Sequence, residues 1–143
     1  MKKLLILCCA SFLFASCADD KVVSESDTPE TVQSSVASHF PDKKVAQISA
    51  DAEGIGGKVY TVIFDDNTKA EYSANGILQE AESVAQLPDA IIPQGILNYV
   101  KATYPSNFIT HVNLDDDNSK DVKLNSGLEL EFDRDNNFVR IED

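Results

Sequence analysis

Two stretches of this chain run in parallel at a fixed spacing, and that spacing constrains the fold more than any other feature. Setting VQSSVASHFPDKKVAQIS beside ILNYVKATYPSNFITHVN at an offset of 64 matches Pro29 with Pro93 and Val32 with Ile96. It also matches Val36 with Val100, Phe40 with Tyr104, Pro41 with Pro105, Val45 with Ile109 and Ile48 with Val112. Further on the offset shrinks to about 60, laying Lys69-Ala70-Glu71-Tyr72 against Glu129-Leu130-Glu131-Phe132. Asn75-Gly76-Ile77-Leu78 then lies near Asn136-Asn137-Phe138-Val139. The sequence therefore predicts two units of about 55 residues, spanning 28–82 and 87–143. Neither is comfortably large enough to bury a core alone, so a core shared between them is expected.

Each unit opens with a helix. Val32, Val36 and Phe40 recur at four-residue spacing, an apolar stripe on one helical face. Thr28 can cap this helix with Pro29 at its first position, where a missing N–H costs nothing, and Asp27 with Glu30 offers an alternative capping box. Pro41 ends it, because the residue before proline avoids the α region. Ile92, Ile96, Val100 and Tyr104 repeat the stripe and Pro105 repeats the stop, with a leading turn at Leu87-Pro88-Asp89-Ala90.

Strands follow each helix. In the first unit they are expected around Val45 and Ile48, over 58–64, 68–73 and 77–82. In the second they are expected over 109–114, 120–124, 128–132 and 138–142. Leu128-Glu129-Leu130-Glu131-Phe132 alternates strictly, which places Leu128, Leu130 and Phe132 toward the helices and Glu129 and Glu131 away from them. The expected fold is α+β: two tandem helix-plus-antiparallel-meander repeats forming one eight-stranded sheet, helices on one face and the other face wet.

Cys8, Cys9 and Cys17 are the only cysteines, all within the first 17 residues. A disulfide scaffold and a Cys-rich zinc module are thereby excluded from the rest of the chain. Lys2 and Lys3 precede a 13-residue run without charge over 4–16. As a helix that run spans about 20 Å, too short for about 30 Å of hydrocarbon and suited to a signal peptide over 1–16. Phe14-Ala15-Ser16-Cys17 resembles a bacterial lipobox, in which Cys17 becomes the first residue and takes a diacylglyceryl thioether that anchors the chain to a membrane. Residues 17–27, rich in acids and serines, are expected to form a flexible tether. Ala18-Asp19-Asp20 resembles the acidic export tag of surface lipoproteins in Bacteroidetes.

Removing residues 1–16 leaves 24 acids against 10 bases. Such a balance argues against nucleic acid as a partner and against an electrostatic grip on anionic lipid, and it favours a solubilising surface or attraction to a basic partner.

Chemistry-bearing constellations are sparse. His39 and His111 occupy different places in their units and read as a helix-end or surface group and a strand residue. No Gly-x-Ser-x-Gly elbow and no phosphate loop is present, and Gly54-Ile55-Gly56-Gly57 lacks the Lys-Ser/Thr that a phosphate loop needs. Asp115, Asp117 and Ser119 hold the 1, 3, 5 spacing of a calcium loop, but Lys120 stands where glycine is required and Ser126 where glutamate is. No catalytic, metal or cofactor residues are assigned, and an enzyme is not expected.

Tyr104-Pro105, the strand Glu129-Leu130-Glu131-Phe132-Asp133 and the turn and final strand Asn136-Asn137-Phe138-Val139-Arg140-Ile141-Glu142 together resemble the PepSY-like family, also called β-lactamase-inhibitor-like. The resemblance covers about residues 28–143. It implies tandem α/β repeats forming an antiparallel sheet, as in the β-lactamase inhibitory protein, in an exported protein that inhibits or chaperones a peptidase. The expected function is a non-catalytic, lipid-anchored envelope module that binds a protein, such as an exported peptidase or other hydrolase, through its open sheet face at Lys69, Glu71, Glu129 and Glu131. The competing expectation is an envelope protein that binds a small ligand or calcium.

Overall fold

The computed structural model describes residues 21–53, 57–114 and 119–142. Helix α1 spans Glu30–His39 and α2 spans Gln94–Thr103. Each is entered through a proline, Pro29 or Pro93, at nearly the same φ and ψ (−53° and 139°, −52° and 134°). Each leaves through an aromatic residue whose backbone N–H donates four residues back, Phe40 to Val36 and Tyr104 to Val100. Pro41 and Pro105 then prevent a further turn. Thr28 does not cap α1. It is buried, and its hydroxyl donates to the Ser24 carbonyl at 3.0 Å, locking the short 3₁₀ turn Glu25–Asp27 in front of the helix.

Nine strands form one sheet in chain order, each antiparallel to the next: β1 Lys21–Val23, β2 Val45–Glu53, β3 Gly57–Phe64, β4 Lys69–Ser73, β5 Leu78–Glu82, β6 Ile109–Asn113, β7 Ser119–Leu124, β8 Glu129–Asp133 and β9 Phe138–Glu142. The expected count of eight is corrected by β1, which lies within the segment expected to be a tether. Val22 and Val23 are β-branched, pair with Ser49 and Ile48 of β2, and bring Val23 against the core. Local acid content hid a three-residue strand whose stability comes from the edge it covers.

Register sorts the side chains. Val23, Ile48, Val62, Ala70, Ala81, Val112, Val122, Leu130 and Ile141 stand opposite one another across all nine strands. From Ile48 to Leu130 every member is buried. Val32, Val36 and Phe40 of α1 and Ile96, Leu97 and Val100 of α2 belong to the same single core, so the helices cover this face.

Irregularities recur at the sequence offsets. Register shifts fall between Val45 and Gln47 and between Ile109 and His111, and again between Glu71 and Tyr72 and between Glu131 and Phe132. Left-handed backbone occurs at Asn67 and Gly127 in the β3–β4 and β7–β8 turns, and at Gly76 and Asn136 in the β4–β5 and β8–β9 turns. Asn and Gly are the residues that tolerate this conformation.

Candidate functional site

The sheet face away from the helices is built from the alternate positions of the same strands. One row across it runs Val22, Ser49, Thr61, Glu71, Glu80, Asn113, Asp121, Glu131, Arg140. A second runs Gln47, Ile63, Lys69, Glu82, His111, Lys123, Glu129, Glu142. The four candidates Lys69, Glu71, Glu129 and Glu131 all lie on this face. They do not form one cluster. Lys69 and Glu71 are on β4, Glu129 and Glu131 on β8, and four strand spacings of roughly 4.8 Å separate the pairs by about 19 Å.

Other residues complete the face: Glu80, Glu82, His111, Asp121 and Lys123 lie between the pairs on β5 to β7, and Arg140 and Glu142 lie beyond them on β9. Seven carboxylates meet Lys69, Lys123, Arg140 and His111 on the two rows. In three places carboxylates stand directly opposite one another: Glu71 with Glu80, Asp121 with Glu131, and Glu129 with Glu142. Such like-charge pairs destabilise a sheet by a few tenths to about 1 kcal/mol each. Alternation alone could have identified the outward positions, but not which of them are opposed.

Ion pairs offset the repulsion. Lys69 Nζ lies 2.5 Å from Glu71, Lys123 Nζ 2.6 Å from Glu129, and Arg140 reaches Glu131 at 2.7 Å and Glu142 at 3.3 Å. His111 Nε2 lies 3.0 Å from a Glu80 carboxylate oxygen. The hydrogen bond to Glu71 raises the Lys69 pKa against the opposing desolvation, with the charges of Glu71, Glu80 and Glu82 adding to the rise. The Lys123–Glu129 bond raises the lysine and lowers the glutamate. Around His111 the face dips into a concavity of about 290 Å³ edged by Glu82, Asp121, Lys123, Glu129 and Glu142.

His39 is at the helix end, the last residue of α1, and is half-buried rather than exposed; its Nδ1 lies 3.2 Å from the Tyr72 hydroxyl, and burial lowers its pKa. Cys17, Asp115 and Asp117 lie outside the described residues, and Ser119 opens β7. Among the described residues no group of three or more His, Cys, Asp or Glu is arranged to hold a metal ion, and no helix is long and apolar enough to cross a membrane.

Comparison with known proteins places this architecture. The family model described as "Putative beta-lactamase-inhibitor-like, PepSY-like" matches residues 15–55 and 58–140. A solved structure from Bacteroides thetaiotaomicron, described as a putative calcium-regulated periplasmic protein, is 32% identical with a TM-score of 0.80, covering 87% of this chain and 98% of its own. A structure from Bacteroides vulgatus described as a putative periplasmic protein of the DUF2874 family is also 32% identical, with a TM-score of 0.80 over 89% of this chain and 99% of its own. A second Bacteroides vulgatus structure, described as a putative periplasmic protein of unknown function and 25% identical, has a TM-score of 0.79 over 87% and 99%. No curated protein matches the chain.

Proposed function

Since the chain belongs to the putative beta-lactamase-inhibitor-like, PepSY-like family, we propose that it is a non-catalytic protein-binding module of the cell envelope, lipid-anchored at Cys17 to the outer membrane. It docks a basic surface of a protein partner, an exported peptidase or other hydrolase, on its open sheet face. The observation that carries this reading is the set of like-charge pairs held in register across that face. Lys69, Lys123 and Arg140 offset only part of the charge of seven carboxylates, so a cationic partner relieves the repulsion that remains, from which a merely solubilising surface gains nothing. The helices leave this side of the sheet uncovered, which gives the partner access.

The two-unit organisation belongs to the same reading: residues 28–82 and 87–143 are tandem copies. Matching prolines at the helix starts, matching register shifts and matching left-handed turn residues support it.

The full chain, displayed on beads against envelope extract, should retain a protein that is lost when Lys69, Glu71, Glu129 and Glu131 are all charge-reversed. Failure to retain any protein over that variant removes the reading. Loss of palmitate labelling in Cys17→Ala tests the anchor, and persistence of the label rejects it.

A calcium-binding reading is favoured by the Asp115, Asp117, Ser119 spacing and by the description of the Bacteroides thetaiotaomicron relative. A melting temperature unmoved by millimolar calcium removes it.

A further inference from the structure

On the helix side, away from the docking face, α1 and β2 leave a groove of about 410 Å³ open to solvent. Val32, Val36, Phe40, Val45 and Ile48 line it, with Lys43 and Lys44 at one rim and Glu25 at another. Sixty-four residues on, α2 and β6 leave a cleft of about 210 Å³ whose lining includes Ile92, Leu97, Val100, Phe108 and Ile109. The larger volume falls within the roughly 300–1,000 Å³ of small-molecule sites and the smaller one below it.

The difference traces to three positions. Where the second unit has Ile92, Leu97 and Phe108, the first has Thr28, Gln33 and Lys44. The second unit plugs its own cleft with apolar side chains and the first does not. As a result Val45 is 39% exposed in the groove while its counterpart Ile109 is 4% exposed. Gln33 is not left as a loose polar group. Its side-chain amide donates to the Glu25 and Thr28 carbonyls, both at 2.8 Å, tying the 3₁₀ turn down as a groove wall.

The charges at the rim are asymmetric. Lys43 is paired with Asp66, whereas Lys44 is exposed and makes no ion pair among the described residues. We propose that this groove is a binding site for a small amphiphilic carboxylate. The apolar body lies over Val45, the exposed apolar side chain of the groove, with Val36 and Ile48 at its floor, covering the surface that the second unit covers with Phe108 and Ile92. The carboxylate sits at the Lys44 ammonium, away from Glu25. The acidic sheet face lies across the sheet from the groove, and at physiological salt charges beyond about 8 Å are largely screened. The comparison of the two clefts rests on the two-unit reading, while binding in the groove is independent of the docking face.

Decanoate is a suitable probe, with decyltrimethylammonium as its cationic counterpart. Calorimetric titration of the full chain should show decanoate saturating below about 1 mM and the cation at least about tenfold weaker. Lys44→Gln, which keeps the groove open, should weaken decanoate about three- to tenfold. The graft Thr28→Ile with Lys44→Phe should abolish binding while the cooperative thermal unfolding persists. Pro105→Ala, near the second cleft, should leave decanoate affinity unchanged and serves as a control. No saturation by decanoate in the wild type overturns the site. Equal binding of anion and cation, or an unchanged affinity in Lys44→Gln, overturns the headgroup assignment. A folded graft that binds like the wild type overturns the groove. Because charge reversal at Lys69, Glu71, Glu129 and Glu131 leaves the groove intact, loss of protein docking and loss of decanoate binding are separable failures.

Discussion

His39 Nδ1 lies 3.2 Å from the Tyr72 hydroxyl, with the two rings stacked at a centroid separation of 5.8 Å. Tyr72 is fully buried, and burial pushes its hydroxyl pKa up, so the phenol is protonated and able to donate at neutral pH. The neutral imidazole is then the natural acceptor. This contact ties the last turn of α1 to β4 and the sheet beneath it.

It makes stability depend on pH in a definite direction. Burial lowers the His39 pKa below its ordinary 6.5. The unfolded chain therefore binds the proton first, and stability is full above pH 6.5 and declines as pH falls from there toward the folded-state pKa. His39→Gln should remove this component, so that urea unfolding of wild type and variant converge as pH drops from 7 to 5. A difference independent of pH across that range contradicts the assignment. Tyr72→Phe should cost about 1 kcal/mol at pH 8 through the lost hydrogen bond.

Gly76 and Gly127 both hold positive φ, +78° and +88°, yet alanine should affect them unequally. A Cβ at Gly127 meets nothing within 4 Å, so only the backbone penalty of about 1–2 kcal/mol applies. A Cβ at Gly76 would lie 2.5 Å from the Thr31 carbonyl oxygen and 2.8 Å from Ser35 Oγ, where the turn abuts α1. Thermal unfolding should rank Gly76→Ala clearly below Gly127→Ala, and equal melting temperatures would show that α1 can yield at no cost.

Deleting residues 1–24 should destabilise the domain, although the sequence reads as linker there. Lys21–Val23 covers the edge of β2 and Val23 packs on the core, so the expected loss is about 1–2 kcal/mol in urea unfolding. An unchanged midpoint would return the segment to tether.

The Lys123–Glu129 pair is exposed, and its signature is in titration. The hydrogen bond from Lys123 holds the Glu129 carboxyl below its usual range. In Lys123→Ala the carboxyl signal of Glu129 should titrate at higher pH by NMR, and an unmoved midpoint would mean the pair does not persist in solution.

The legible parts of this molecule are those whose signal is local. Pro41 and Pro105 mark where the helices stop, and Leu128-Glu129-Leu130-Glu131-Phe132 shows its faces by alternation, so seven of the strands end within a residue or two of expectation. Lys21–Val23 escaped because three residues carry no period and the strand exists only through β2. His39 escaped because its partner lies 33 residues away. The outward position of Glu71 and Glu131 could be read, but their facing partners Glu80 and Asp121 depend on the register shifts of β4–β5 and on the pairing of β7 with β8. Opposed carboxylates are a property of register, which a sequence states only through its turns.

The central claim is that the charged sheet face, and not the helix side, carries the partner. The most direct measurement is the affinity of the retained envelope protein for three full-length forms: wild type, Glu71→Lys with Glu129→Lys and Glu131→Lys, and the helix-side control Asp89→Lys with Lys101→Glu. Asp89 and Lys101 pair at 2.6 Å beside α2, so the control swaps charge without changing the total. The account predicts a loss of about 100-fold or more for the face variant, equivalent to about 2.8 kcal/mol, and less than about threefold for the control. A face variant that binds as tightly as wild type, or a control that loses as much as the face variant, would contradict it.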